Sequence, residues 1–359
     1  MTSLRLPLLR SLFLAALGAI AVVSSPLSAQ KPPAPKPPVF PPINPAIARL
    51  DQTITGLDGP GFCIAYGDAA KVLYAGCERG TIQVWHKDVL LNIRKGSGTA
   101  DVLRGHQGPV LALAWNGGPI MASAGLDRKV LLWSVKEGTT VQSIASPAIL
   151  RTLAMSPDGK QLAGGGEDPA IQLWDLPAAK PGLKLTDHQD WVIALAFSPD
   201  SKQLASADYH GKVVLWDAAD GKKIRYLTPL PTPPPKEPPD PVPAEALAFS
   251  PDGKSLAVGS ANGNLQLVNV ADGKLIRAMP GHTSAVTGIA FHPGGNLLVS
   301  ASKDRTLRLW NPANGQAIKT LEGHEAWVEG VVFTTRGTRL ASVGADQTVR
   351  IWDLSEPKK

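Results

Sequence analysis

The chain has 359 residues, a formal charge of +6 and only two cysteines, Cys63 and Cys77. That length holds one large repeat domain or two ordinary ones, and so few cysteines exclude a disulfide-stapled scaffold. The positive charge is spread along the chain without a Lys/Arg run or a basic stripe interleaved with aromatics, so nucleic acid is not an indicated partner.

The first segment, residues 1–29, carries Arg5 and Arg10 and no acid. An apolar run from Leu12 to Val23 follows, then small residues from Ser24 to Ala29. Basic, apolar and cleavable regions in that order predict a secretory signal cut after Ala29, with an uncleaved membrane anchor as the other reading. The expected location is periplasmic or extracellular, and no membrane span is expected in the mature chain. Residues 30–47 follow as a spacer: Lys31 to Pro45 holds eight prolines in fifteen residues, a composition that favours an extended, semi-rigid chain.

From about residue 48 to the end the chain repeats itself. Aligned on one strand end, Trp85, Trp133, Trp174, Trp216, Val268, Trp310 and Trp352 are 48, 41, 42, 52, 42 and 42 residues apart. Each copy opens with an alternating stretch such as Trp191 to Phe197 and turns at a Ser-Pro-Asp motif (Ser156, Ser198, Ser250). A short strand, a tight Asp or Asn turn, the Trp-terminated strand and a last strand complete it. Period-two alternation between such turns predicts four short strands per copy and an all-β fold over 48–359. The 52-residue step is explained by a Pro-rich loop insertion at 229–243.

Gly105-His106, Gly281-His282 and Gly323-His324 open three copies, Asp187-His188 opens a fourth less regularly, and Trp174-Asp175, Trp216-Asp217 and Trp352-Asp353 close others. In these dipeptides and their period the chain resembles the WD-repeat family of β-propellers, here of an exported, bacterial-envelope type. The resemblance implies seven blades of four antiparallel strands. Because the chain ends just after Trp352, the seventh outer strand has to come from elsewhere, and Leu50 to Leu57 stands in the matching place before the first copy. That N-terminal strand is expected to latch the ring.

The resemblance also implies a buried His–Ser–Asp–Trp hydrogen-bond chain in each regular blade. Ser lies ten residues and Asp six before the Trp in three copies: His106, Ser123, Asp127 and Trp133; His282, Ser300, Asp304 and Trp310; His324, Ser342, Asp346 and Trp352. The fourth copy keeps His188, Ser206 and Trp216 but places His210 in the Asp slot, the third has Gly164 in the Ser slot, and the fifth has Val268 for Trp. A Ser, His and Asp that occur three times, tied to a Trp and without a nucleophile elbow, read as structural pegs rather than a hydrolase triad. No His or Cys pair has zinc-ligand spacing, the Gly-rich stretch at Ala163 opens no helix that could cradle phosphate, and no cofactor is expected. Cys63 and Cys77 fall on adjacent strands but diagonally, which leaves both a disulfide and two free thiols open.

What the resemblance implies functionally is protein binding on the face that carries the Gly-His loops and Asp turns. The exposed positions expected there are Phe62, Ile149, Arg151, Trp191, Ile193, Trp327 and Glu329, with Tyr209 and Lys303 from the turns. The expected protein is a monomeric, non-enzymatic scaffold that presents this face to a protein partner. The alternatives are a binding module for a small molecule or glycan in the central channel, or an enzyme with an unrecognised site.

Overall fold

The structure, a computed structural model, describes residues 40–67, 71–86, 101–227 and 242–356. The signal segment, nearly all of the spacer before Phe40 and most of the Pro-rich insertion lie outside the described residues. Each of the first six sequence copies is one antiparallel four-stranded sheet, joined in chain order from an inner to an outer strand, and the seventh copy supplies three strands of another, so that the described residues form seven sheets. Consecutive inner strands pack side by side around one axis, and the first of them, Gly61–Gly67, meets the last, Val328–Thr334, to close the circle.

Burial explains the strand compositions. A second strand such as Gln203–Asp208 is covered on both faces by neighbouring sheets and reads Leu-Ala-Ser-Ala, whereas an outer strand such as Lys223–Tyr226 is largely exposed. Small residues are needed where blades converge: a Cβ on Gly165 or Gly259 would lie 2.6 Å from Val192 or Val286, the residue that opens the next blade's inner strand. At the junction of blades seven and one the sizes are exchanged, since Val343 stands in the second strand and Gly61 receives it. Close packing with few voids makes such pairs specific to their place in the ring.

The seventh sheet runs Arg49–Ile54, Val349–Asp353, Arg339–Gly344, Val328–Thr334, so a strand from the beginning of the chain is its outer edge. Leu50 pairs with Trp352 and Ile54 with Val349, and the Arg49 guanidinium meets the Asp353 carboxylate at 2.8 Å. The latch is one residue earlier than expected and stops at Ile54; Leu57 instead packs into the core between blades seven and one. The last residues assigned to the spacer also belong to the fold. Ile43 bridges Ser355, the Asn44 N–H donates to the Leu354 carbonyl, and Phe40 lies edge-on to His292 at 5.5 Å between ring centres. Ile43 and the buried Ala48 cover Leu354 and Trp352, which gives those apolar side chains a reason to leave an extended chain. Among the described residues no helix is long and apolar enough to cross a membrane.

Candidate functional site

Four blades hold the polar chain in one geometry. In the second blade the Trp133 indole N–H donates to Ser123 Oγ at 2.8 Å, Ser123 Oγ lies 2.7 Å from His106 Nε2, and His106 Nδ1 lies 3.0 Å from Asp127. A carboxylate can only accept, so Nδ1 carries the imidazole proton and Nε2 accepts the serine hydroxyl. The same order holds for Trp310, Ser300, His282 and Asp304, and for Trp352, Ser342, His324 and Asp346. Atom for atom this is the connectivity of a hydrolase triad. Each serine is 0% exposed and its oxygen is occupied by an indole N–H, so no substrate carbonyl reaches it.

The fourth blade corrects the expectation that its network is incomplete. His188 Nδ1 is 2.7 Å from Asp208, Nε2 is 2.6 Å from Ser206, and the Trp216 indole donates to Ser206 at 2.7 Å. The carboxylate comes from the end of the second strand, two residues before the expected slot. A side chain at the strand end reaches the same imidazole as the turn: a Cβ on Gly125, the corresponding strand end in blade two, would lie 2.5 Å from His106 Nδ1 and 2.8 Å from Asp127. A small strand-end residue coexists with the turn carboxylate, since Ser302 of blade six donates to the Ser284 carbonyl and leaves His282 to Asp304. His210 is left half exposed and pairs with Asp190 at 3.0 Å. In the third blade the missing serine at Gly164 is replaced by apolar contact, with Leu150 and Trp174 pressed against that backbone.

Burial lowers the affinity of His106 and His282 for a proton, against the pull of Asp127 and Asp304, and also lowers that of His292. Burial alone would raise Asp127 and Asp304, but hydrogen bonds from Gln107 N–H, the Thr306 hydroxyl and the imidazoles bring both below the usual carboxylate value. All five groups therefore bind protons more readily unfolded than folded. Stability is fully present above the ordinary histidine value of 6.5, and falls as pH drops through the depressed histidine values and again below 3.8. Urea midpoints measured from pH 8 to 4 should be flat above 6.5 and decline below it. A midpoint that rises on acidification would show that imidazolium, not imidazole, is the buried species.

The same face carries a second regular feature. In every inner strand the pairing register slips by one residue at its start: between Gly61 and Cys63, Val110 and Ala112, Leu150 and Thr152, and Val192 and Ala194. Blades five to seven repeat it at Ala244/Ala246, Val286/Gly288 and Val328/Gly330. A bulge frees one residue from the ladder and re-aims its side chain. The freed residues are Phe62, Leu111, Arg151, Ile193, Glu245, Thr287 and Glu329, and all seven line one cavity of about 350 Å³ at the mouth of the axial channel. Two places further along, Ile64, Leu113, Leu153, Leu195, Leu247, Ile289 and Val331 line the channel below with aliphatic side chains.

Of the expected face residues, Phe62, Arg151, Trp191, Ile193, Tyr209 and Glu329 are brought together around this mouth. Trp191 is 39% exposed, Tyr209 49% and Trp327 54%. The Trp191 and Tyr209 rings are 6.1 Å apart, Arg151 lies over Trp191 at 5.0 Å, and Lys303 lies over Trp327 at 5.5 Å. Ile149 does not line the mouth; its carbonyl accepts the Glu167 N–H beside the Arg151–Glu167 ion pair. Leu111, Glu245 and Thr287 were not anticipated. All seven share one position, the residue after the first core position of each inner strand, which the bulge frees.

Cys63 and Cys77 are free thiols. Cys77 pairs with Gly61 and Cys63 with Gly76, so the two side chains are diagonal, as their spacing indicated. Burial pushes Cys77 up to about 11 and Cys63 higher still, which keeps both protonated and unreactive. Among the described residues, no three His, Cys, Asp or Glu side chains converge as a metal ion would require.

Comparison with known proteins points the same way. The WD40 family (WD domain, G-beta repeat) matches residues 99–134, 138–175, 179–217, 273–311 and 315–353. A second match, to the anaphase-promoting complex subunit 4 WD40 domain, covers residues 236–284. The nuclear distribution protein PAC1 of Arthroderma benhamiae is 27% identical over 253 residues, which is 66% of this chain and 48% of that protein. The anaphase-promoting complex subunit cdh1 of Dictyostelium discoideum is 33% identical over 99 residues, 27% of this chain and 12% of that protein. The SIR4-interacting protein SIF2 of Saccharomyces cerevisiae is 26% identical over 125 residues, 34% of this chain and 22% of that protein. The chain thus spans about half the length, or less, of the relatives it matches.

Proposed function

The chain belongs to the WD40 repeat family, and from that premise we propose that it is a protein-interaction scaffold that docks its partner on the channel-mouth face. One observation carries this reading: seven bulges aim seven different side chains at one mouth, beside three exposed aromatic residues. Exposed Trp and Tyr are the side chains that most often dominate protein interfaces. The names of two relatives, a subunit of an assembly and an interacting protein, support the same class of activity. We infer further that the chain is exported to the periplasm or the outside, on the order of basic, apolar and small segments in residues 1–29. The mass of the secreted product, beginning after Ala29 or not, tests that part directly.

The docking face is tested by replacing Trp191 and Trp327 with alanine and recovering partners from a native extract. The double variant should lose about 2 kcal/mol of binding, roughly thirtyfold, and melt like the wild type, since neither indole belongs to a His–Ser–Asp–Trp chain. Lys160→Glu lies in a Ser-Pro-Asp turn that follows the far end of an inner strand, on the opposite face, and should leave recovery unchanged. If the double variant recovers the same proteins at the same affinity, or if Lys160→Glu is the variant that loses them, the assigned face is wrong.

A further inference from the structure

The mouth is not chemically uniform around its circumference. Blades one, two and four contribute Phe62, Leu111 and Ile193, with Arg151 of blade three between the last two, and this largely apolar arc continues into the rings of Trp191 and Tyr209. Blades five, six and seven contribute Glu245, Thr287 and Glu329, a polar arc with a carboxylate at each end. The cations nearby are already engaged. Arg151 is held by Glu167 at 2.8 Å and lies over Trp191; Lys303 is held by Glu245 at 3.3 Å and lies over Trp327. Among the described residues no cation comes within ion-pair distance of Glu329. Burial pushes its carboxyl above the usual value, and the Glu245 charge adds to this against the attraction of Lys303. The Thr287 hydroxyl is anchored to the Val328 carbonyl of the next blade, so the polar arc is braced before anything binds.

A half-buried carboxylate with an uncompensated charge gains most from a cation that arrives already attached to something else that binds. An acidic or phosphorylated partner would bring like charge to Glu245 and Glu329. A bare metal ion would find too few converging ligands among the described residues. The cavity, about 350 Å³, is at the small end of the ~300–1,000 Å³ typical of ligand sites, and accommodates side chains rather than a folded element.

We propose that the mouth receives an extended segment of the partner protein, with a basic side chain against Glu329, beside the Lys303–Glu245 pair, and a neighbouring apolar side chain on the Phe62–Trp191–Tyr209 arc. The proposal rests on the docking reading above and sharpens it to a partner chemistry. The chain's own positive balance, +6 overall, makes a negative arc at this one mouth a selective feature rather than a general one.

The test is selection of a random displayed heptapeptide library on the full chain, on Glu329→Gln, on Glu245→Gln/Glu329→Gln, and on Trp191→Ala/Trp327→Ala. The wild type should enrich Arg or Lys at one position at least tenfold, beside an apolar residue. Glu329→Gln should abolish the basic preference while it keeps the apolar one and the wild-type melting curve, and the double Gln variant should behave the same way. Binding of a selected basic peptide should weaken with added salt. Peptides that depend on Trp191 and Trp327 but show no basic enrichment, or a basic enrichment that survives in both Gln variants, would overturn the proposal and leave the docking face standing. A library that yields no peptide sensitive to the two Trp replacements would remove the docking face, and this inference with it.

Discussion

Removing Phe40 to Thr55 is expected to cost the protein on the order of 5 kcal/mol, whereas removal of the preceding residues alone should leave its stability almost unchanged. The longer deletion takes away five strand pairs on Val349–Asp353, at about 1 kcal/mol each, together with the ion pair of Arg49 to Asp353 and the cover that Ile43 and Ala48 give Leu354. A loss of that size is a large share of the ~5–15 kcal/mol that separates folded from unfolded proteins. It also leaves a bare sheet edge beside a buried Trp352, a template for pairing with other chains. Urea melts of the two truncations, compared at equal concentration, decide the matter, and coincident curves would mean that the ring is closed by face-to-face packing alone. A synthetic peptide covering Ile43 to Gly56 should restore the lost midpoint progressively, with the logarithm of its concentration once that exceeds the dissociation constant, because it binds only the folded ring. If the peptide has no effect, the strand does its work during folding rather than in the finished ring.

The latch was legible because a repeat with one strand missing at its end and one to spare at its beginning has few ways to be complete. The blade count and strand order were legible for the same reason: seven copies at a nearly constant period, six of them centred on Trp and one on Val268, admit one architecture. Less visible was the exchange at the seventh junction, where Val343 and Gly61 swap sizes, since each is an ordinary strand residue until its neighbour in space is known. The channel mouth was half legible. Trp191 and Trp327, each just before the first core Val of its copy, and Tyr209 in a turn stood out as large side chains, but Leu111, Glu245 and Thr287 look like any alternate residue of a strand. Only the bulge separates them, and a bulge is a property of pairing, not of composition. The polar arc that gives the mouth its sign thus became visible only when blades five to seven were placed side by side.

The fourth blade supplies the clearest test of how the polar chain is built. Asp208 is 1% exposed, and it accepts from the His210 and Lys212 backbone N–H groups while it holds His188. Asp208→Ala should therefore cost roughly 3 kcal/mol, because it leaves the buried His188 N–H and two backbone N–H groups without their acceptor. His210→Ala should cost under about 0.5 kcal/mol, since it removes only a half-exposed contact with Asp190. The decisive variant combines Asp208→Gly with His210→Asp, which rewrites blade four in the grammar of blades two and seven, a Gly at the strand end and an Asp in the turn. It should recover most of the stability lost in Asp208→Ala, because the turn carboxylate can then occupy the space the strand end has vacated. His210→Asp with Asp208 retained should destabilise, since two carboxylates would compete beside one imidazole, as the 2.5 Å approach to His106 from a Cβ on Gly125 implies. Urea midpoints of the four variants at pH 7.5, above the histidine transition, separate these outcomes. Should the rewritten blade prove no more stable than Asp208→Ala, the strand-end carboxylate has a role beyond holding His188. If His210→Ala is the costlier single change, the exposed turn, not the buried chain, is what blade four depends on.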